Sequence, residues 1–222
     1  MNVSIPRRLV HVVDDDATIR RSISLLLDPR GIGAVEWASP WEFLRSARLA
    51  PPTCVILDVR MPEMTGPEIQ DELRRRRSPV PVVFLTAHAD VPTTVRAMKG
   101  GAADFLLKPV DPAALVDVVQ RSLLRSAADA AALLRTRALR RRFTELTPRE
   151  REVFDQVVRG ASNKESSAAL GITENTLKVH RSRVMEKMGS TTLADLVRMA
   201  VSLGVLSADT AESDQVVPGS RG

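Results

Sequence analysis

Acidic, hydroxyl and basic side chains stand where four apolar runs of this sequence end. Asp58 closes one run, the pair Asp14 and Asp15 closes an earlier one, Thr86 closes a third and Lys108 closes a fourth. Open parallel α/β sheets bind ligands outside the carboxyl ends of their strands. The sequence therefore predicts that these side chains converge on one crevice, with the Asp58 carboxylate as its chemical centre.

The chemistry that fits this group is phosphoryl transfer to a carboxylate. A carboxylate accepts a phosphoryl group only when a divalent cation offsets the repulsion between its charge and the phosphate oxygens. Mg²⁺ prefers oxygen ligands and keeps several waters, so Asp15, Asp58 and one backbone carbonyl would suffice as direct ligands. Asp14 would act mainly through water. A strand-end hydroxyl such as that of Thr86 and an ammonium such as that of Lys108 are side chains able to donate to phosphate oxygens.

Short apolar runs alternate with segments of 3.6-residue periodicity in the first half of the chain. The predicted strands are residues 9–15, 33–37, 53–58, 80–86 and 104–107. Because a helical pattern follows each run, the fold class is predicted to be α/β, with a parallel, doubly wound sheet and helices on both faces.

The pattern changes from about Ser126 onward. Apolar residues recur there at three- and four-residue steps, and neither Gly nor Pro occurs between Pro112 and Pro148. This stretch is predicted to be a helical connection rather than a flexible tether.

Helix start and stop signals divide the carboxyl half into four short predicted helices. Thr147 and Ser162 each open a capping box, and glycines stand where left-handed helix ends are needed. Only residues 171–173 separate the second of these helices from the third, a turn length typical of helix-turn-helix units. The polar segment 207–222 is predicted to be a disordered tail.

Taken together, these motifs resemble a bacterial response regulator. Residues 9–124 resemble a flavodoxin-like receiver domain, and residues 143–206 resemble an all-α, four-helix LuxR-type helix-turn-helix domain. Residues 125–142 would be the helical linker between them, and 207–222 the tail. The combination is similar to the NarL/FixJ subfamily, whose members are transcription regulators rather than enzymes.

The resemblance implies a role for individual receiver residues. Asp58 would be the phosphoacceptor, assisted by Thr86 and Lys108, and the backbone carbonyl of Arg60 would complete the metal site. The Lys108–Pro109 peptide bond would be cis. Phe105 stands where many receivers have a switch tyrosine. It either moves inward without a phenolic hydroxyl or is simply a core phenylalanine.

The helix predicted over residues 174–188 would read DNA. Leu177, Val184 and Met188 should face the core, and the opposite face should enter the major groove. Base edges would be met by Asn175, Lys178, Val179 and Ser182, and phosphates by Lys164, Thr176, His180, Arg181 and Arg183. Arg181 departs from the apolar residue that is common at its position, so its direction is left open.

Composition and charge suggest the partners. Lys and Arg number 32 against 27 for Asp and Glu, and basic residues cluster in the linker and the recognition helix. Double-stranded promoter DNA suits this charge, although a solvated helix face would also explain the linker arginines. No ATP-binding motif occurs, so the resemblance implies a cognate histidine kinase, and a homodimer forming on phosphorylation.

One cysteine excludes an internal disulfide framework, and no apolar stretch is long enough to suggest membrane insertion, so a cytoplasmic location is expected. Cys54 should be a buried apolar residue, and His11 a core residue bonded to backbone. His88 should be a solvent-facing loop residue, or else one that blocks or orients water near the phosphate. Asp16 should cap the helix that follows the acidic pair.

Two other functions deserve comparison. A haloacid-dehalogenase-type enzyme also forms an aspartyl phosphate, but it needs a second aspartate two residues after the first, where Arg60 stands here. A receiver that works without phosphorylation remains open, although the complete acidic site argues against it.

Overall fold

The computed structural model describes residues 8–87 and 91–206, with the backbone alone for 91–93. The predicted tail 207–222 and His88 lie outside the described residues. The chain divides after Ala131 into two compact units, at a point inside the predicted linker. In the described part of the chain, no helix is long and apolar enough to cross a membrane.

The first unit is built on a five-stranded parallel sheet of order β2-β1-β3-β4-β5. The strands are β1 Leu9–Val13, β2 Gly33–Trp37, β3 Thr53–Asp58, β4 Val82–Thr86 and β5 Asp104–Leu107. The predicted fold class is confirmed. Two strands are shorter than predicted. One reason is that Pro81 has no backbone N–H to donate to a ladder, and β4 begins just after it.

Helices cover both faces of this sheet. They are α1 Ala17–Leu27, α2 Pro40–Ser46, α3 Gly66–Arg75, α4 Val91–Lys99 and α5 Pro112–Thr144, with a short 3₁₀ turn at Asp28–Arg30. Successive residues of a strand point to opposite faces, so each strand supplies two cores. In β3, Cys54 and Ile56 pack against side chains of α1 and α5, whereas Val55 and Leu57 pack against those of α2 and α3.

Cys54 lies fully buried in the first of these cores and is a free cysteine. Burial raises the pKa of its thiol to about 12 because the thiolate would be poorly solvated there. The prediction of an inert core residue is confirmed.

Helix α5 is 33 residues long and contributes to both units. Near its start, Leu115, Val119 and Leu123 pack in the core of the first unit. Buried Ser126 then accepts a hydrogen bond from the backbone N–H of Thr53 at 3.2 Å. The helix therefore extends through the whole segment predicted as the linker.

The second unit contains α6 Pro148–Val158, α7 Asn163–Leu170, α8 Glu174–Met188 and α9 Leu193–Leu203. Capping boxes begin α6 and α7, and glycines with φ between 63° and 73° end α7, α8 and α9. These four helices match the sequence prediction. The last turn of α5 also joins this core, because Phe143 packs 5.2 Å from the Phe154 ring centroid.

His11 joins the edge of the sheet to a neighbouring loop. Its Nδ1 accepts from the Trp37 indole N–H at 3.0 Å, and its Nε2 donates to the Arg48 carbonyl at 3.3 Å. An indole N–H only donates and a carbonyl only accepts, so these partners require one neutral tautomer. Burial lowers the pKa of this imidazole, more than the Arg48 hydrogen bond raises it.

The first prediction concerns the pH dependence of stability. The unfolded chain binds a proton at His11 near its ordinary pKa of 6.5, whereas the folded protein resists protonation until lower pH. Stability should therefore be full above pH 6.5 and fall below it, by at most about 1.4 kcal/mol per pH unit. Scanning calorimetry between about pH 7.5 and 5.5 would measure this.

In His11→Phe the fall should be shallower than in the native chain. An equally steep fall in His11→Phe would refute the assignment.

Candidate functional site

The sheet register brings the predicted residues of the first unit together. Val13 pairs with Leu57, so Asp14 and Asp58 leave neighbouring strands side by side. Thr86 of β4 pairs with Leu107, the residue before Lys108. As a result, the Lys108 ammonium lies 2.7 Å from Asp14 Oδ2 and 2.8 Å from Asp58 Oδ1.

The loop after β1 holds the acidic residues in different environments. The Asp14 side chain is buried, and its Oδ1 accepts from the backbone N–H of Asp16 at 2.9 Å. The Asp16 carboxylate accepts from the N–H of Thr18 at 2.7 Å and caps α1, as predicted. Asp15, between them, is exposed. A buried and an exposed carboxylate thus stand at the same strand end.

Asp58 is placed by the loop that follows β3. Its Oδ2 accepts from the backbone N–H of Arg60 at 2.9 Å, and the N–H of Gly66 returns to the Val59 carbonyl at 3.1 Å. A Cβ on Gly66 would lie 2.4 Å from the Asp58 carbonyl oxygen and 2.8 Å from the Phe84 ring. Glycine is therefore required here for close approach. Sequence reasoning missed this role, although a glycine between a strand and a helix was visible.

Thr86 and Phe105 lie beside this crevice. Thr86 is buried, and its carbonyl accepts from the backbone N–H of Lys108 at 2.7 Å. The Lys108–Pro109 bond is cis. The half-buried Phe105 ring has its centroid 6.1 Å from that of Phe84. This position suits a core phenylalanine as well as a mobile switch residue.

Burial and charge act in opposite directions on these groups. Burial raises the pKa of Asp14, and nearby Asp58 adds to the rise, while Lys108 counteracts it. Burial alone would lower the pKa of Lys108, but its hydrogen bonds to two carboxylates outweigh that effect and raise it. Lys108 therefore stays charged at neutral pH. Within residues 8–87 and 91–206, no set of three or more His, Cys, Asp or Glu side chains is grouped to hold a metal ion.

The second candidate site is the outer face of α8. Leu177, Val184 and Met188 are fully buried, as predicted. The predicted contact residues that are exposed on this helix are Asn175, Thr176, Lys178, Val179, Ser182 and Arg183, and Lys164 is exposed on α7. Even the apolar side chain of Val179 is 52% exposed, which leaves it available to a thymine methyl.

Two predicted contact residues point at least partly toward the protein. Arg181 donates from Nη1 to the Asn163 side-chain oxygen at 3.1 Å and so links α8 to α7. His180 is half-buried, and its Nδ1 has no hydrogen-bond partner among the described residues. These two side chains have less freedom to reach DNA than their exposed neighbours.

The carboxyl end of α8 is held by contacts that sequence reasoning did not predict. Arg142 of α5 donates to the Met188 carbonyl at 3.0 Å. Lys187 contacts the Glu150 carboxylate at 2.6 Å, and Glu150 also caps α6. Burial would raise the pKa of Glu150, but Lys187 and the Thr147 hydrogen bonds outweigh it and hold that pKa below its usual value. The outer face of α8 is therefore fixed from both neighbouring helices.

Comparison with known proteins identifies the family to which each unit belongs. The response regulator receiver domain matches residues 10–120, and the luxR family of bacterial regulatory proteins matches residues 144–200. Nodulation protein W of Bradyrhizobium diazoefficiens is 41% identical over 95% of this chain and 92% of its own length. Transcriptional regulatory protein FixJ of Azorhizobium caulinodans is 41% identical over 91% of this chain and 96% of its own length. This chain belongs to the NarL/FixJ response regulators.

Solved structures agree with this assignment. A low-resolution structure of the response regulator StyR has 39% identity and a TM-score of 0.80, covering 87% of this chain and 98% of its own. Full-length FixJ from B. japonicum has 34% identity and a TM-score of 0.55, and the match covers 91% of this chain and 100% of the FixJ chain. This response regulator is accordingly a phosphorylation-controlled transcription regulator of a two-component system, not an enzyme. Its receiver implies a kinase partner, and its helix-turn-helix domain implies DNA binding.

The DNA-binding domain of this response regulator contains a buried hydroxyl that generates the second prediction. Ser166 of α7 is 1% exposed, and its Oγ has no hydrogen-bond partner in the described part of the chain. A buried polar group without a partner is destabilising. Ser166→Ala should therefore raise the free energy of unfolding of this domain by about 1 kcal/mol, measured by urea unfolding.

The neighbouring serine provides a matched control. Ser167 is also buried, but its Oγ donates to the Lys164 carbonyl at 3.0 Å. Ser167→Ala should give no comparable gain. Equal effects of the two substitutions would contradict the explanation.

Proposed function

We propose that Asp58 is the residue that is phosphorylated. The observation that carries this proposal is the pair of contacts from one Lys108 ammonium to the carboxylates of Asp14 and Asp58. Two carboxylates that contact one ammonium lie close enough to share a cation. Asp58 is the member of the pair whose main-chain loop leads directly into α3.

The donor atoms at this strand edge fit Mg²⁺. They are carboxylate oxygens and a loop carbonyl, which are the ligands that this cation prefers. Asp15, Asp58 and the Arg60 carbonyl would hold the cation directly, and Asp14 would act through water. When bound, Mg²⁺ offsets the repulsion between the carboxylate and the incoming phosphate oxygens.

Lys108 changes its task in this proposal. Before phosphorylation its ammonium forms ion pairs with both Asp14 and Asp58. Phosphorylation converts the singly charged Asp58 carboxylate into an acyl phosphate that carries about 1.5 to 2 negative charges and offers new acceptor oxygens. The ammonium can then pair with one phosphate oxygen, and the Thr86 hydroxyl can donate to another. Phe105 would follow Thr86 inward, and this rearranged receiver is the state that phosphorylation favours.

The third prediction tests the acceptor. Incubation with acetyl phosphate and Mg²⁺ should add one phosphoryl group to the native chain, because the cation offsets the charge repulsion. Asp58→Asn should abolish the adduct, as seen by intact-mass spectrometry. Asp129→Asn should not change it, because Asp129 is an exposed residue of α5.

Persistence of the adduct in Asp58→Asn would reject Asp58 as the acceptor. So would failure of the native chain to react in the presence of Mg²⁺.

We further propose that the phosphorylated protein binds promoter DNA as a homodimer in the cytoplasm. Two-fold symmetry would let two copies of α8 meet two half-sites. Residues 9–124 would form the receiver, 125–142 the linker and 143–206 the DNA-binding domain. On α8 the exposed Asn175, Lys178, Val179 and Ser182 would meet base edges. Lys164, Thr176 and Arg183 would meet phosphates, with His180 and Arg181 at the margin of the contact.

The fourth prediction separates reading of bases from contact with phosphates. Lys178→Ala should cost about 1 to 3 kcal/mol at the cognate site and relax the preference at particular base pairs, because a base contact is lost. Lys164→Ala should weaken cognate and scrambled DNA alike. It should reduce the salt dependence by about one unit of slope, because one phosphate contact releases about one counterion.

Binding titrations at several salt concentrations, on both duplexes, make this comparison. Equal weakening of both duplexes by Lys178→Ala would argue that α8 does not read sequence.

A further inference from the structure

Arg20 of α1 contacts the loop that carries the acidic pair. Its Nη1 donates to the carbonyl of Asp14 at 2.7 Å and to that of Asp15 at 3.1 Å. Its side chain is 13% exposed, so it is held against the protein rather than extended into solvent. One guanidinium therefore fixes two consecutive carbonyls of the β1–α1 loop.

The Arg20 guanidinium is itself held from the edge of the sheet. Its Nε lies 4.0 Å from Glu36 Oε2 on β2. The other oxygen of Glu36 accepts from the Ser24 hydroxyl at 2.7 Å, one turn further along α1. The planar donors of an arginine suit this arrangement, because one nitrogen can serve the carbonyls while another faces the carboxylate.

We infer that Arg20 is a positioning residue for the divalent-cation site. By holding the carbonyls on both sides of the Asp15 Cα, it restricts the backbone from which the Asp15 carboxylate projects. Partners that orient metal ligands contribute strongly to metal affinity although they do not touch the metal. This inference rests on the proposed Mg²⁺ site at Asp15 and Asp58.

Charge alone predicts the opposite effect of Arg20. A guanidinium beside a cation site repels the cation, so its removal would strengthen Mg²⁺ binding if electrostatics were its main influence. If orientation dominates, removal weakens Mg²⁺ binding despite the lost repulsion. The sign of the change in affinity therefore distinguishes the two effects.

The fifth prediction uses that sign. Isothermal titration of the full chain with Mg²⁺ should show binding about tenfold weaker in Arg20→Ala than in the native chain. Arg20→Lys keeps the charge but has a single ammonium in place of the planar fork, so it should not restore affinity. Arg21→Ala, which removes an exposed arginine at the next position of α1, should bind Mg²⁺ as the native chain does.

A second variant guards against a folding defect in Arg20→Ala. Ser24→Ala leaves every charge in place but removes the hydrogen bond that holds Glu36 beside Arg20, and should weaken Mg²⁺ binding in the same direction. Unchanged or tighter Mg²⁺ binding in folded Arg20→Ala, or in Ser24→Ala if the first variant does not fold, would overturn the inference. Absence of Mg²⁺ binding by the native chain would overturn the proposed metal site and this inference together.

Discussion

The contact of one lysine ammonium with two carboxylates is the constraint on which the first unit depends. Asp14 and Asp58 repel each other when both are charged, and Asp14 is buried. Only a structure that fixes their strands side by side, and brings Lys108 between them, keeps such a pair stable. The parallel sheet meets this need because its register, and not a flexible loop, places each strand end. The same electrostatic tension makes the site responsive to an added phosphoryl group.

The second unit is subject to a different constraint. One face of α8 must be exposed while the orientation of the helix stays fixed. The buried side of α8 rests on Leu177, Val184 and Met188, and its exposed side carries no packing that could hold it. Contacts at its carboxyl end therefore matter. Arg142 donates to the Met188 carbonyl, while the Lys187–Glu150 ion pair attaches the last turn to the start of α6. Glu150 thereby couples the cap of one helix to the position of another.

Much of the fold could be predicted because its signals are local. Strand runs, capping boxes and helix-ending glycines lie within a few residues of the structure they determine, and most predicted boundaries agree with the observed elements within a few residues. The convergence of Asp58 with Lys108 was also predictable, since strand ends of a parallel sheet share an edge. In contrast, the roles of Gly66, Arg20 and Arg142 depend on distances between segments far apart in sequence. No local pattern distinguishes Arg142 from the other linker arginines, because only tertiary packing brings it to the Met188 carbonyl.

The positions of the two tryptophans have an optical consequence. The chain contains two tryptophans and no tyrosine, and both tryptophans, Trp37 and Trp41, belong to the first unit. Trp37 is half-buried with its indole N–H bonded, whereas Trp41 is 56% exposed. Intrinsic tryptophan fluorescence therefore reports on the receiver, and the DNA-binding unit contributes almost none of it. A change in that emission when DNA is added, once absorption by the DNA itself is corrected for, would show that DNA binding alters the surroundings of the receiver tryptophans.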